Sequence, residues 1–529
     1  MSGINIKFIS AIILGLMLGI YVLVEVLTAR TSIGQLYLYV AVAALITGML
    51  SPKPAMYLLG FCTIYIDFFK RLMVIGGTPT FLEVSYVLAI PPLLVAGALI
   101  SVVLSLAFSR GKISRDVIVS FLVASVIACG SVLGVMFSTS DRQGLGLVGV
   151  MVNQGFYSYL VFLVPFVLPS DEDRRKYLHY LFVLLIPSVL YMFWQEHHGY
   201  AGFEYDYLSS GLSIEAKNLD ESMGGEMRKF STLNGCGTAS TLYSIFMLVC
   251  FVSLRKANAK PSVMQKWGKV MLAPLFAMAA YFTISRTGWF SGLGTFAAYF
   301  LLGSKFRSKL GITIALGTFV TVVALAPIAI EQNWMASIES QLKLIVSQFT
   351  DDPTARRAIV LGTVGDRLQG WANLTTEPRL WTPFGFVAAG VDPRQYMRGD
   401  FRWGHDALID TLMRFGYVTL TMIVSLASYC LYALFRYMYG LSRKSITFKI
   451  TRLCLALNAG ILVGAMSSGA QFRNFPQNVF FMLWIAIPFA TYQQAMRDRK
   501  QARSAMQSDD LPGVYPEFVK ARSSVSAPR

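Results

Sequence analysis

Apolar residues along this chain fall into unbroken runs of about twenty, separated by short polar or basic stretches, and not into the alternation of half-buried strands. Such runs lie near 8–28, 35–50, 54–69, 84–108, 116–137, 144–168, 176–194, 233–254, 267–284, 287–303, 309–330, 411–436, 449–467 and 476–494. They predict an all-α polytopic membrane protein of about fourteen transmembrane helices, since a backbone in lipid must satisfy its own hydrogen bonds and a helix does so locally. The first run has only Lys7 ahead of it and no small-residue cleavage site after it, so it reads as a span and not as a removed signal. Pro92 and Pro187 fall inside runs, where neighbouring helices can satisfy the carbonyls they free.

One stretch breaks the pattern. Residues 331–410, between the eleventh and twelfth runs, are polar, basic and aromatic. The chain therefore divides into a membrane bundle at 1–330, with the first eleven spans and a smaller outer loop at 196–233, and a large outer loop at 331–410. The last three spans follow at 411–495, then a tail at 496–529 whose Ser, Arg, Gln and Pro content predicts disorder. No internal repeat stands out, which weighs against transporters built from two matching halves.

Composition agrees with this reading. The chain is 55% hydrophobic and 14% charged, whereas soluble domains carry about 25% charged residues. The net charge of +17 is concentrated in alternate loops: Lys53; Arg110, Lys112 and Arg115; Arg174, Arg175 and Lys176; Arg255, Lys256, Lys260, Lys266 and Lys269. The series continues with Lys305, Arg307 and Lys309, then Arg443, Lys444, Lys449 and Arg452, then Arg497, Arg499 and Lys500. Alternating spans put all of these on one side, which the positive-inside rule makes cytoplasmic. Both termini then lie on the cytoplasmic side of a bacterial inner membrane, and both long loops face the periplasm. Lys70 and Arg71 fall on the wrong side. Charge so distributed belongs to loops and not to a nucleic-acid surface. The six cysteines are scattered, without CxxC or metal-like spacing, so neither a disulfide framework, a metal site nor a cofactor is expected.

Arginines on the outer side need a reason. Arg286, in YFTISRTGWFSGLG, sits at a sharp reversal between two spans. It fits a snorkelling side chain, or an anion-facing corner in which Gly288 admits a phosphate and the guanidinium binds it bidentately. Arg228 precedes the eighth span, and Ser231, Thr232 and Asn234 after it are N-cap types, so a helix start faces the same side. Arg367, in VGDRLQGWANL, shares a predicted amphipathic helix with Trp371, a face suited to sugar and phosphate or simply to packing. Of the four histidines, His405 opens the twelfth span between Gly404 and Asp406. It is either a structural residue of a helix start or a general base, for which imidazole needs little tuning. Asp406 or Asp410 could orient it. No DxD or DxxD pair lies nearby, so arginine would take the place of a metal cation.

In order, these segments resemble the bacterial O-antigen ligase and O-antigen polymerase superfamily. SRTGWFSGL is similar to its Ser-Arg-Gly-aromatic helix start, and RLQGWANLTTEPRLWTPFGFVAAG to its Arg-x-x-x-Trp helix and Gly-x-Gly-like turn. GHDALIDTLMRFGYVTL is similar to its His-Asn-x-x-Leu…Glu-x-Gly segment. The likeness covers about Arg228 to Val418. Asp406 stands where that pattern has Asn, Arg414 where an acid is common, and Phe386 in the second position of the Gly pair. The resemblance implies a C-type glycosyltransferase bundle acting on an undecaprenyl-pyrophosphate-linked glycan donor. Arg228, Arg286 and Arg367 would hold the pyrophosphate, and His405 would activate the acceptor hydroxyl for inverting attack. Asp406, Asp410, Trp371 and Gly288 would support them.

That superfamily performs two reactions. A polymerase joins one lipid-linked repeat to another; a ligase moves the finished chain to lipid A–core or to protein. The span count and the departures favour a polymerase, partnered by the bilayer, the glycan acceptor and other polysaccharide-assembly membrane proteins. A lipid-linked oligosaccharide flippase has comparable size and charge, but should show repeated halves and charges along a central path.

Overall fold

The computed structural model describes residues 31–108, 115–138, 155–212, 228–254, 268–303 except 284, 378–385, 441–468 except 444, and 475–508, with isolated positions at 15, 19 and between 409 and 438. Among these residues every element is a helix. In chain order they are α1 (Ser32–Leu50), α2 (Pro52–Leu72), α3 (Phe81–Ala107), α4 (Arg115–Ser138), α5 (Leu160–Val167) and α6 (Asp171–His198). There follow α7 (Gly202–Ser209), α8 (Cys236–Phe251), α9 (Ala273–Phe282), α10 (Arg286–Leu301), α11 (Ile446–Ser468) and α12 (Gln477–Ser508).

Among the described residues five segments are long and apolar enough to cross a membrane: α1, α3, α6, 446–465 of α11 and 477–497 of α12. The helix α2 is long enough but carries Asp67, Lys70 and Arg71 in its last turns. Pro91 and Pro92 lie inside α3, Pro187 inside α6 and Pro488 inside α12, all within continuous helix. The predicted spans near 8–28, 309–330 and 411–436 lie wholly or largely outside the described residues, as does most of the 331–410 loop.

Two elements differ from the sequence expectation. The helix α6 continues to His198, and α7 forms where an open loop was expected at 196–233. At the other end of the chain, α12 runs on to Ser508, into the segment predicted as a tail. Ala, Gln, Arg and Met dominate there and are good helix formers even without an apolar face to bury.

The side-chain contacts sort the helix ends into two groups. At one end Lys53 meets Asp173 at 2.6 Å, and Arg174 bonds both Asp171 (2.8 Å) and Gln494 (3.0 Å). Thr447 donates to Asp171, and Arg452 donates to the Tyr299 carbonyl, at the same end. At the far end Glu83, buried in the first turn of α3, accepts from the Thr31 amide before α1 (2.7 Å) and from the Thr80 amide (2.7 Å). One carboxylate thus ties two helix starts together, and α1 and α3 run parallel, with Gly48 and Gly97 pressed against each other's backbones. The far end also holds the Lys229–Glu196 pair and the bond from Asn234 to the Phe475 carbonyl. The described helices therefore alternate between a basic end and a far end.

A seam of small residues runs between these ends. Gly288 and Gly292 of α10 face Ser240 and Ser244 of α8, so those helices are parallel and close. Gly460 and Gly464 of α11 face Thr295 and Ser291, which makes α11 antiparallel to α10. Without side chains at these positions the backbones approach closely, and the hydroxyls find partners inside the seam: Thr295 donates to the Ser291 carbonyl at 2.8 Å.

Candidate functional site

The far end of this bundle carries the described part of the predicted site. Arg228 lies in the segment 228–235 that leads into α8, half-buried, with its guanidinium within hydrogen-bonding reach of the Cys236 thiol. Its carbonyl accepts from the Tyr200 hydroxyl. Arg286 is the first residue of α10, described as backbone only. One turn into α8, Ser240 donates to the Ser285 carbonyl at 2.9 Å, immediately before Arg286. The two arginine-bearing helix starts are therefore neighbours. Gly288 faces Ser240, where any Cβ would meet Ser240 backbone, so helix packing accounts for this glycine.

The N-cap expectation needs correcting. The residue that caps α8 is Gly235, with no side-chain cap bond, and not one of Ser231, Thr232 or Asn234. Those three hold the loop instead. Ser231 donates through Oγ to the Ser188 carbonyl; the Ser188 hydroxyl sits 2.7 Å from that of Thr232 and 2.8 Å from that of Tyr243. Asn234 reaches the Phe475 carbonyl before α12.

Beneath this loop lies a buried ionic network that the sequence showed only as a misplaced charge. The Arg71 side chain is 2% exposed and that of Glu204, on α7, is 0% exposed; they form an ion pair. Arg71 also donates to the carbonyls of Ser231 and Leu233, and through Nε to the Asp67 carbonyl at 3.1 Å. Phe230 and Phe68 lie 5.0 and 5.7 Å from its guanidinium carbon. Glu204 accepts from Tyr191 (2.9 Å), Gln195 (3.0 and 3.1 Å) and the Ala201 amide (3.1 Å). Gln195 closes the ring by accepting from the Ser231 amide at 2.8 Å. Lys70 pairs with Asp67 at 2.8 Å. Lys70 and Arg71 are thus each matched by a carboxylate. The signal available in sequence was Asp67 three residues before Lys70 on the same helix; nothing local marked Glu204 as the partner of Arg71.

Part of the second half of the site is also described. The turn Pro378–Trp381 leads to Gly385, which sits at φ +91°, and the Thr382 and Pro383 carbonyls accept from the Tyr417 (3.0 Å) and Val418 (3.2 Å) amides. Gly416, at φ +76°, lies flat against Pro383 and Phe384, where a side chain would strike backbone. The glycine turn of the large loop is therefore joined to the segment that follows His405. Arg367, Trp371, His405, Asp406 and Asp410 themselves lie outside the described residues.

This geometry offers the Arg228 guanidinium and two helix starts without side-chain caps at one end, a combination suited to anions. No family model, curated protein or solved structure matches the chain.

Proposed function

We propose that the chain is a membrane glycosyltransferase that moves a glycan from a polyprenyl-pyrophosphate donor to a sugar hydroxyl, as a polysaccharide polymerase. The observation that supports it most is the neighbouring placement of the Arg228 loop and the Arg286 helix start, opposite the end where Lys53, Arg174 and Arg452 gather. In this reading the basic end faces the cytoplasm, and the donor's pyrophosphate lies at the far end against Arg228, Arg286 and Arg367. The acceptor oxygen attacks the anomeric carbon as His405 takes its proton. The bond from that carbon to the pyrophosphate oxygen breaks, polyprenyl pyrophosphate leaves with the electron pair, and the anomeric configuration inverts. Pyrophosphate is a good leaving group, so fixed positive charge and one base suffice.

The test is release of polyprenyl pyrophosphate by the purified protein, with and without chelator. Acceptor arms offer a second lipid-linked repeat, or lipid A–core. Chelator-resistant release with the first acceptor is expected; transfer only to lipid A–core makes the chain a ligase. No release with any donor and acceptor refutes the reading. His405→Ala should lose transfer while keeping donor binding, and Arg286→Lys should be impaired because it keeps charge without the planar fork.

A further inference from the structure

The ring Arg71–Glu204–Gln195–Ser231 is built from buried polar groups. An ion pair with both side chains buried carries a desolvation cost that apolar residues would avoid. What it achieves here is local. Arg71, on α2, grips the two carbonyls on either side of Thr232, while Gln195, on α6, holds the Ser231 amide. Ser231 is thereby fixed at φ +54°, a left-handed conformation that non-glycine residues rarely adopt. The Ser188 carbonyl accepts from the Ser231 hydroxyl. Every one of these bonds ends on the segment that starts at Arg228 and delivers it to the first turn of α8.

We infer that Arg71, paired with Glu204, is a positioning residue that sets the 228–235 segment and with it the placement of Arg228 for an anionic donor. The inference rests on the proposed role of Arg228 as a pyrophosphate ligand. Arg71 does not touch the donor. It acts through backbone carbonyls, which a lysine ammonium cannot grip in the planar arrangement of a guanidinium while also pairing with Glu204.

The experiment compares Arg71→Lys with wild type and with Lys53→Met, which removes an ion pair at the basic end. Hydrogen–deuterium exchange is followed peptide by peptide, and donor KM and kcat are measured separately. In Arg71→Lys, exchange is expected to rise in peptides covering 228–235 but not in α3. Donor KM should rise about tenfold, the loss of one charge-assisted bond, with kcat within about twofold. Lys53→Met should leave both readouts at wild type. If Arg71→Lys does not fold, Glu204→Asp, which keeps the charge but draws the carboxylate away from Arg71, should still raise exchange in the same peptides. Unchanged exchange at 228–235 in whichever variant folds, or a fall in kcat with unchanged KM, overturns the inference. A wild-type chain inactive with every donor refutes the function and the donor part of this inference; the exchange result alone then decides whether Arg71 sets the loop.

Discussion

At Arg71 a guanidinium with almost no exposure to solvent is satisfied by one carboxylate and three backbone carbonyls. Removing one partner of such a pair leaves an uncompensated buried charge, which costs about 3–5 kcal/mol. Glu204→Gln is therefore expected to lower the melting temperature in detergent sharply. Lys229→Met, at the more exposed Lys229–Glu196 pair, should cost about 1 kcal/mol or less. Equal melting temperatures in the two variants would show that the ring is not structural. Ser231 adds a backbone test. Ser231→Val puts a β-branched residue at φ +54° and should destabilise the protein, whereas Ser231→Gly, which relaxes the backbone but loses the bond to Ser188, should stay closer to wild type. The sequence exposed Arg71 and Lys70 as exceptions to the charge pattern. It could not supply the partner of Arg71, because a carboxylate in an apparently open loop gives no local sign of which distant cation it will meet.

Among the elements, α8, α10 and α11 depend on having almost nothing between them. A Cβ at Gly288 would meet Ser240 backbone, whereas one at Gly292 would lie 3.3 Å from the Ser244 Cβ. Gly288→Ala should therefore destabilise the protein by about 1–3 kcal/mol, as overpacking does, and Gly292→Ala by less. Thermal melts of the two variants check the order. The helices themselves were legible: α1, α3, α6, α11 and α12 stand where apolar runs predicted spans. The seam was not, since SRTGWFSGLG reads equally as an anion corner and as a small-residue packing face until its neighbour is known. The cap at Gly235 was missed for a related reason: Ser231, Thr232 and Asn234 have the chemistry of N-caps, but their oxygens and amide were already engaged with α6 and the start of α12.

For the whole molecule, contacts between distant helices separate Lys53, Asp173 and Gln494 from Glu83, Glu204 and Lys229. Single cysteines in a cysteine-free background test what this means in the cell. Lys53→Cys should react with an impermeant maleimide only after the membrane is opened, and His198→Cys before it. The reverse pattern would invert the assignment of the ends. Alternation of short basic loops made this arrangement readable, since it depends on counts of charges along the chain and not on any particular contact. The ring at Arg71 also has a consequence in time. Glu204 follows Arg71 by 133 residues, so at about 5–20 residues per second its partner is made roughly 7–27 seconds later. Throughout that interval α2 carries a cation that nothing yet neutralises, with only the nearby Asp67 carboxylate taken up by Lys70. The end of α2 must therefore wait in contact with water or lipid headgroups, and it can settle into the bundle only once α7 has been synthesised.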